Sequence, residues 1–65
     1  MKLYNVPNNT KINVLENILI PPGAIYIKRN EELMFYHIDG MYSYCKNKNG
    51  NVVHLVAWAD VKIIN

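Results

Sequence analysis

Residues 34–64, "MFYHIDGMYSYCKNKNGNVVHLVAWADVKII", decide the fold. Two pairs, Asp39-Gly40 and Asn49-Gly50, divide this stretch into three runs rich in apolar and aromatic residues. Such pairs favour tight β-hairpin turns, because Asp, Asn and Gly tolerate positive φ with little strain. The stretch therefore predicts three antiparallel strands in a meander.

The turn positions predict how these strands pair. A two-residue turn at Asp39-Gly40 gives the cross-strand pairs Ile38–Met41, His37–Tyr42, Tyr36–Ser43, Phe35–Tyr44 and Met34–Cys45. A similar turn at Asn49-Gly50 gives the pairs Tyr44–Leu55 and Cys45–His54. A longer loop in "NKNG" is the alternative. It shifts the last strand by one residue and exchanges its faces, because successive side chains of a strand alternate.

Both faces of the predicted meander carry apolar or aromatic side chains. One face holds Leu33, Phe35, His37, Tyr42, Tyr44, Val53, Leu55 and Ala57. The opposite face holds Met34, Tyr36, Ile38, Met41, Ser43, Cys45, Val52, His54 and Val56. One face suffices for the core of a small sheet, so we expect the other to be a docking surface. The alternative is an ordinary, partly apolar protein surface.

The flanking segments complete the prediction. Residues 57–60, "AWAD", interrupt the alternation and "VKII" restores it, which indicates one 3₁₀ turn before a short last strand. Upstream, we predict strands in "KLYNV", "KINVL" and "AIYIK", with turns in "PNNT" and "RNEE". The segment "ENILIPPGA" is predicted to be irregular, because proline cannot donate to a ladder.

The closing segment "NGNVVHLVAWADVKII" resembles the last hairpin, 3₁₀ turn and final strand of SH3-like barrels. The predicted fold is all-β, a single domain over residues 1–65. It is a small antiparallel barrel of five or six strands, SH3-like, with an OB-like barrel as the alternative. The resemblance implies architecture and no proline-peptide site, because Trp58 follows the fourth strand-like run instead of lying early in the hairpin.

Composition bounds the class of protein. The chain has 65 residues and a net charge of +2, and Cys45 is its single cysteine, so no intramolecular disulfide can form. A core this small gives a thin margin of stability, which makes a homo-oligomer or a partner subunit plausible. We see no signal peptide, and the longest apolar run contains a Pro-Pro pair and is too short to span a bilayer. We therefore expect a cytoplasmic protein without membrane association.

Asn, Ile, Lys and Tyr supply nearly half of the residues, as in proteins from AT-rich genomes. In size and composition the chain is similar to small uncharacterised accessory proteins of large AT-rich tailed phages. That resemblance implies a modulator of a host protein, acting in the host cytoplasm.

The polar residues do not predict catalysis. His37 and Asp39 project to one side of the meander, and Cys45 and His54 to the other, so we predict no metal site. Cys45 opposite His54 is the minimum of a thiolate–imidazole nucleophile, but a buried cysteine acting as a small hydrophobe is the preferred interpretation. We predict no catalytic residue and no cofactor.

We expect a small, non-enzymatic interaction protein that binds another protein, a second copy of itself, or both. Its predicted binding residues are Met34, Tyr36, His37, Met41, Tyr42, Tyr44 and Trp58. One alternative is a binder of single-stranded nucleic acid that stacks bases on Tyr26, Tyr42 and Tyr44. Another is a nucleotide-binding oligomer with a pocket between subunits near His37, Tyr42 and Trp58.

Overall fold

The structure is a computed structural model that describes residues 1–20 and 25–64. A 3₁₀ helix at Leu3–Asn5 precedes the strands. The strands are β1 (Thr10–Val14), β2 (Ile18–Ile20), β3 (Ile25–Ile27), β4 (Glu32–Asp39), β5 (Tyr42–Lys46), β6 (Val52–Val53) and β7 (Val61–Ile63). The predicted all-β class is confirmed. The predicted strand in "KLYNV" is wrong, because Leu3–Asn5 form the 3₁₀ helix and Lys2 makes an isolated bridge with Asp60.

The strands form two antiparallel ladders. Five strands make one sheet in the order β6-β5-β4-β1-β7, and β2 pairs with β3. Within the described residues no ladder joins β6 to β7, so closure of the sheet into a barrel, SH3-like or OB-like, stays a prediction. The count exceeds the expected five or six strands because Ile18–Ile20 forms a strand where the sequence predicted irregular backbone. The adjoining "PPGA" lies outside the described residues.

The first hairpin turns one residue later than predicted. Asp39 pairs with Tyr42, so Gly40 and Met41 form the turn, and only Gly40 has a positive φ, of 65°. Glycine at the first central position is the pattern of a type II′ turn. His37 pairs with Tyr44, and Ile38 with Ser43. Each residue of this part of β4 thus pairs two residues further along β5 than predicted. Because side chains alternate with a period of two, His37 still shares a face with Tyr42 and Tyr44.

A β-bulge changes the lower half of this hairpin. The register shifts between Phe35 and His37, which leaves Tyr36 as an extra residue. Below the bulge Phe35 pairs with Cys45, so the predicted pairs Phe35–Tyr44 and Met34–Cys45 are wrong. The consequence is that Cys45 shares the inner face of the sheet with Phe35, and both are fully buried.

The second hairpin adopts the longer loop that the sequence left open. Cys45 pairs with Val53, so the predicted pairs Tyr44–Leu55 and Cys45–His54 are wrong. Asn47 organises the loop: its Oδ1 accepts hydrogen bonds of 3.0 Å from the backbone N–H groups of Asn49 and Asn51. Gly50 has a φ of 81°, as in three-residue hairpin loops that end in a bulge.

The core lies on the inner face of the five-stranded sheet. The 3₁₀ helix covers part of it through fully buried Leu3, whose N–H donates to Ala59 O at 2.9 Å. The β2–β3 hairpin covers another part with Ile27. The core residues are Leu3, Val6, Ile12, Val14, Ile27, Leu33, Phe35, Cys45, Val53, Leu55, Ala59 and Val61.

The predicted tight turn before the last strand is present. Ala59 N donates to Val56 O at 3.1 Å, a bond from residue i+3 to residue i of the 3₁₀ type. The turn leaves Trp58 exposed between two buried alanines, Ala57 and Ala59. The turn therefore brings the chain from buried Leu55 to exposed Trp58.

Within residues 1–20 and 25–64, no helix has the length and apolar character needed to cross a membrane.

Candidate functional site

The predicted binding residues, which the predicted register divided between two faces, lie at three places. Tyr42 and Trp58 line a groove, and Met41 lies exposed in the turn between β4 and β5. The remaining residues belong to the outer face of the five-stranded sheet: Met34, Tyr36, His37 and Tyr44. The groove and the outer face adjoin at His54, which lines the groove and contacts Tyr44.

The groove has a volume of about 480 Å³. The largest exposed apolar side chains around it are Leu19, Tyr42 and Trp58, with exposed fractions of 64%, 53% and 50%. Its lining residues are Lys2, Glu16, Ile18, Leu19, Tyr42, His54, Leu55, Val56, Trp58, Ala59 and Asp60. This volume falls within the range of about 300–1,000 Å³ that is typical of ligand sites.

Three parts of the chain build the groove. β2 contributes Leu19, which pairs with Tyr26 on β3. β5 begins at Tyr42, which forms an isolated bridge with Val56. The turn that follows Val56 then supplies Trp58. The groove thus exists because the regular pairing of β5 with β6 gives way to a tight turn.

A charged pair lies at the rim of the groove. Lys2 Nζ and Asp60 Oδ1 are 2.9 Å apart. The hydrogen bond from Lys2 lowers the pKa of the Asp60 carboxyl, and the same bond raises the pKa of Lys2. Both side chains are substantially exposed, so this pair contributes little to stability. Both partners are charged at neutral pH, so the pair gives the rim two opposite charges and no net charge.

Four rings on the outer face form what we call the aromatic cluster: Tyr36, His37, Tyr44 and His54. His37 stacks on Tyr44 with a centroid distance of 5.5 Å and an interplanar angle of 6°. Tyr36 and His54 meet Tyr44 edge-on, at 5.7 Å and 5.9 Å. Such geometries are the favourable ones for aromatic pairs. Tyr44 is therefore the centre of the cluster.

His54 is oriented by the backbone. Its Nδ1 lies 2.9 Å from Ser43 O, and because a carbonyl oxygen only accepts, Nδ1 carries the proton in this arrangement. The longer loop between β5 and β6 places His54 on the outer face, beside Tyr44. The bulge at Tyr36 brings two consecutive ring residues, Tyr36 and His37, to the same side. Both irregularities are needed for the cluster.

A row of residues beside the cluster carries two lysines. Lys11 pairs with Met34, and Met34 pairs with Lys46, so the three side chains share the outer face. Lys46 Nζ lies 6.0 Å from the centroid of the Tyr36 ring, at the limit of a cation–π contact. Among the described residues, no carboxylate lies within ion-pair distance of either lysine.

The cysteine faces the interior. Cys45 is fully buried, and burial raises the pKa of its thiol, while a contact with Ser43 Oγ at 3.4 Å acts in the opposite direction. His54 lies on the other face of the sheet, so the hypothetical Cys45–His54 nucleophile is not formed. In the described part of the chain, no three His, Cys, Asp or Glu side chains are placed to hold a metal ion.

Several residues of these surfaces could not be found from the sequence as it was interpreted above. Leu19 was missed because the Pro-Pro pair dominated the interpretation of its segment. His54 would have been found from the longer-loop register, which turns it to the side of Tyr44, and Lys46 from the alternation that places it on the same face as Tyr42 and Tyr44. Tyr42 and Trp58 line the groove and His37 does not, and the predicted pocket between subunits near these three residues stays a prediction.

Comparison with protein-family models, with curated proteins and with solved structures finds no match to this chain. The residues of the groove and of the outer face therefore carry the functional argument by themselves.

Proposed function

We propose that this chain is a non-enzymatic binding protein that holds a segment of a partner protein in the groove. The observation that carries the proposal is the position of Leu19, Tyr42 and Trp58 around one cavity of about 480 Å³ while each stays half exposed or more. Large side chains that remain exposed beside a cavity gain most from a partner that covers them. Tryptophan and tyrosine dominate the binding energy of many protein interfaces.

The chemistry of the groove supports binding rather than catalysis. Its floor includes Ile18, Leu55 and Ala59, which offer contact area and no reactive group. Its carboxylates are Glu16 and Asp60, and Asp60 is held in the ionised form by Lys2. The thiol of the chain is buried elsewhere. A partner segment with one or two apolar side chains matches this lining.

The kind of partner follows from the composition. The abundance of Asn, Ile, Lys and Tyr, which is typical of AT-rich genomes, supports a phage-encoded modulator whose partner is a protein of the bacterial host. Because Leu19, Tyr42 and Trp58 are exposed at the groove, a second copy of the chain is the competing occupant.

Trp58 supplies a direct assay, because it is the single tryptophan of the chain and lies in the groove. The protein is immobilised and exposed to lysate from a low-GC bacterium, and captured proteins are then titrated against it by tryptophan emission. A partner in the groove shifts the emission of Trp58 to shorter wavelength, because the indole loses water.

Trp58→Ala is expected to weaken binding at least about 30-fold, the effect of removing an interface hot spot of about 2 kcal/mol. The control is Tyr4→Ala, which removes an equally exposed aromatic side chain that does not line the groove. Its affinity should stay within about twofold of the original. Equal retention of the partner by both variants would contradict the proposal.

Light scattering at micromolar concentration measures the oligomeric state, and so distinguishes a partner protein in the groove from a second copy of the chain. A monomer that still captures its partner supports the proposal. A dimer that Trp58→Ala dissociates and that captures nothing assigns the groove to self-association, and so overturns binding of a host protein.

A further inference from the structure

The outer face of the sheet has a chemistry distinct from that of the groove. We call it the lysine–aromatic face and define it by Lys11, Met34 and Lys46 with the four rings of the aromatic cluster. These residues lie on the side of the five-stranded sheet opposite to the core. Of the described residues outside the five-stranded sheet, Leu3 of the 3₁₀ helix and Ile27 of the β2–β3 hairpin pack in the core, on the side opposite to this face.

The rings offer a place for a planar group to stack. His37 is exposed and covers Tyr44 in a nearly parallel stack, so its outer ring surface continues the stack toward solvent. Tyr36 stands edge-on to Tyr44 and is half-buried. Because these rings brace one another, little side-chain freedom is lost when a ligand stacks on them.

The lysines offer positive charge beside that stack. Lys11 and Lys46 flank Met34 in one row, so their strands are about 10 Å apart. Lys46 reaches over Tyr36. The carboxylates of this face lie at the two ends of β4: Glu32 pairs with Asn13, and Asp39 lies next to the turn. The middle of the face therefore carries cations beside rings.

We propose that the lysine–aromatic face binds single-stranded nucleic acid. Bases stack on aromatic rings without regard to sequence, while lysines hold the phosphates, and this face has both groups in adjacent rows. An acidic peptide would use the lysines and leave the rings unexplained. The proposal goes beyond the proposed groove function and stands on different residues.

The test uses fluorescence anisotropy with fluorescein-labelled 12-mers of deoxythymidine and of uridine, between 25 and 200 mM salt. Lys11→Gln combined with Lys46→Gln is expected to weaken binding at least about tenfold. It should also reduce the slope of log K against log salt by about 1.4, since each phosphate contact contributes about 0.7. Lys28→Gln is the control, because Lys28 is exposed and follows β3, away from this face.

The aromatic half of the site has its own pair of variants. Tyr36→Ala should weaken binding about fivefold or more at constant salt slope, since one stacked base is lost. Tyr26→Ala, on the β2–β3 hairpin, should leave affinity within twofold. Circular dichroism confirms that each variant is folded.

Several results would overturn the proposal. One is the absence of an anisotropy change at 100 μM protein and 25 mM salt. Another is an equal effect of the Lys28 control and the Lys11/Lys46 double variant, which would mean diffuse attraction by net charge. A third is loss of oligonucleotide binding in Trp58→Ala with unchanged binding in Tyr36→Ala, which would place the nucleic acid in the groove. The last is that the original protein binds no oligonucleotide while the Lys11/Lys46 double variant loses a protein partner. That result would show that the face contacts a protein.

Discussion

The hydroxyl of Ser43 is the polar group on which the interior depends most. The side chain is fully buried. Its Oγ accepts a hydrogen bond from Leu55 N at 3.1 Å and donates one to Leu55 O at 3.0 Å. Regular β6 ends at Val53, so this hydroxyl replaces a missing ladder bond between β5 and the segment after β6. Ser43→Ala removes it without changing the backbone.

The expected loss of free energy of unfolding depends on which hydrogen bonds remain to Leu55 N–H and Leu55 O after the substitution. Leu55 O still accepts from Ser43 N at 2.8 Å, so it stays satisfied. Leu55 N–H loses its acceptor in a buried place, which costs about 1–3 kcal/mol. A chain of this length has a free energy of unfolding of about 3–10 kcal/mol. The substitution should therefore remove between about a tenth and nearly all of the free energy of unfolding. It should lower the melting temperature by about 4–8 °C per kcal/mol lost.

Urea unfolding, followed by Trp58 emission and by circular dichroism, measures this loss. With a slope of about 1 kcal/mol per M, the midpoint should fall by about 1–3 M at unchanged slope. The control is Thr10→Val, which also removes one hydroxyl and no carbon atom. Thr10 Oγ1 makes an exposed bond of 3.4 Å to Asn8 O, so its removal should cost less than about 0.5 kcal/mol.

A Ser43→Ala variant as stable as the original would refute the reasoning, because the Leu55 amide would then have another partner. Hydrogen exchange checks the same point locally: the Leu55 amide should exchange faster in Ser43→Ala, by more than the global loss of stability explains. The Thr10→Val variant should show no such local change.

Three further predictions concern other parts of the chain. Cys45 is buried with a raised pKa, so iodoacetamide at pH 8 should modify the native thiol at least about a hundredfold more slowly than the urea-unfolded one; comparable rates would contradict its burial. The pKa of Asp60 is lower, and that of Lys2 higher, in the folded protein, so their pair stabilises fully between the ordinary values of 3.8 and 10.5. This stabilisation is lost as pH falls through the folded pKa of Asp60 or rises through that of Lys2. Because the pair is exposed, Asp60→Asn should flatten the acid limb of a stability–pH curve only slightly, and a large flattening would contradict a weak, solvent-screened pair. Gly50 has a φ of 81°, and no neighbouring atom lies within 4 Å of the place that an alanine methyl group would take, so Gly50→Ala should cost about 1–2 kcal/mol in urea unfolding from backbone strain alone, and Gly50→Asn less.

The all-β class was predictable because its signals are local. The glycines at positions 40 and 50 mark two turns, and the break in alternation at "AWAD" marks a third. Each depends on the conformational preference of a few neighbouring residues. β2 was missed for the complementary reason: its residues are apolar enough for a strand, but the Pro-Pro pair that follows them argues against one.

The register of the strands was harder to predict. An inserted residue reverses the faces of the residues beyond it, but the sequence on either side of it shows the same alternating pattern. The bulge at Tyr36 has no compositional signature, and "NKNG" fits both a two-residue turn and a longer loop. Each error moves side chains between the core and the surface. For that reason the predicted register placed Ser43 and Cys45 on the face opposite to Phe35, and Tyr44 on the same face as Leu55.

The two irregularities act together, and this links the core to both proposed surfaces. The bulge lets Phe35 and Cys45 share the interior while Tyr36 and His37 both point outward. The longer loop sends Leu55 inward to meet Ser43 and His54 outward to meet Tyr44. Without either one, aromatic rings would enter the core and small polar side chains would leave it. The surplus of rings on the surface is therefore a direct consequence of packing the interior with the smaller residues. The groove begins at the other end of β6, where the regular pairing of β5 with β6 gives way to the tight turn after Val56.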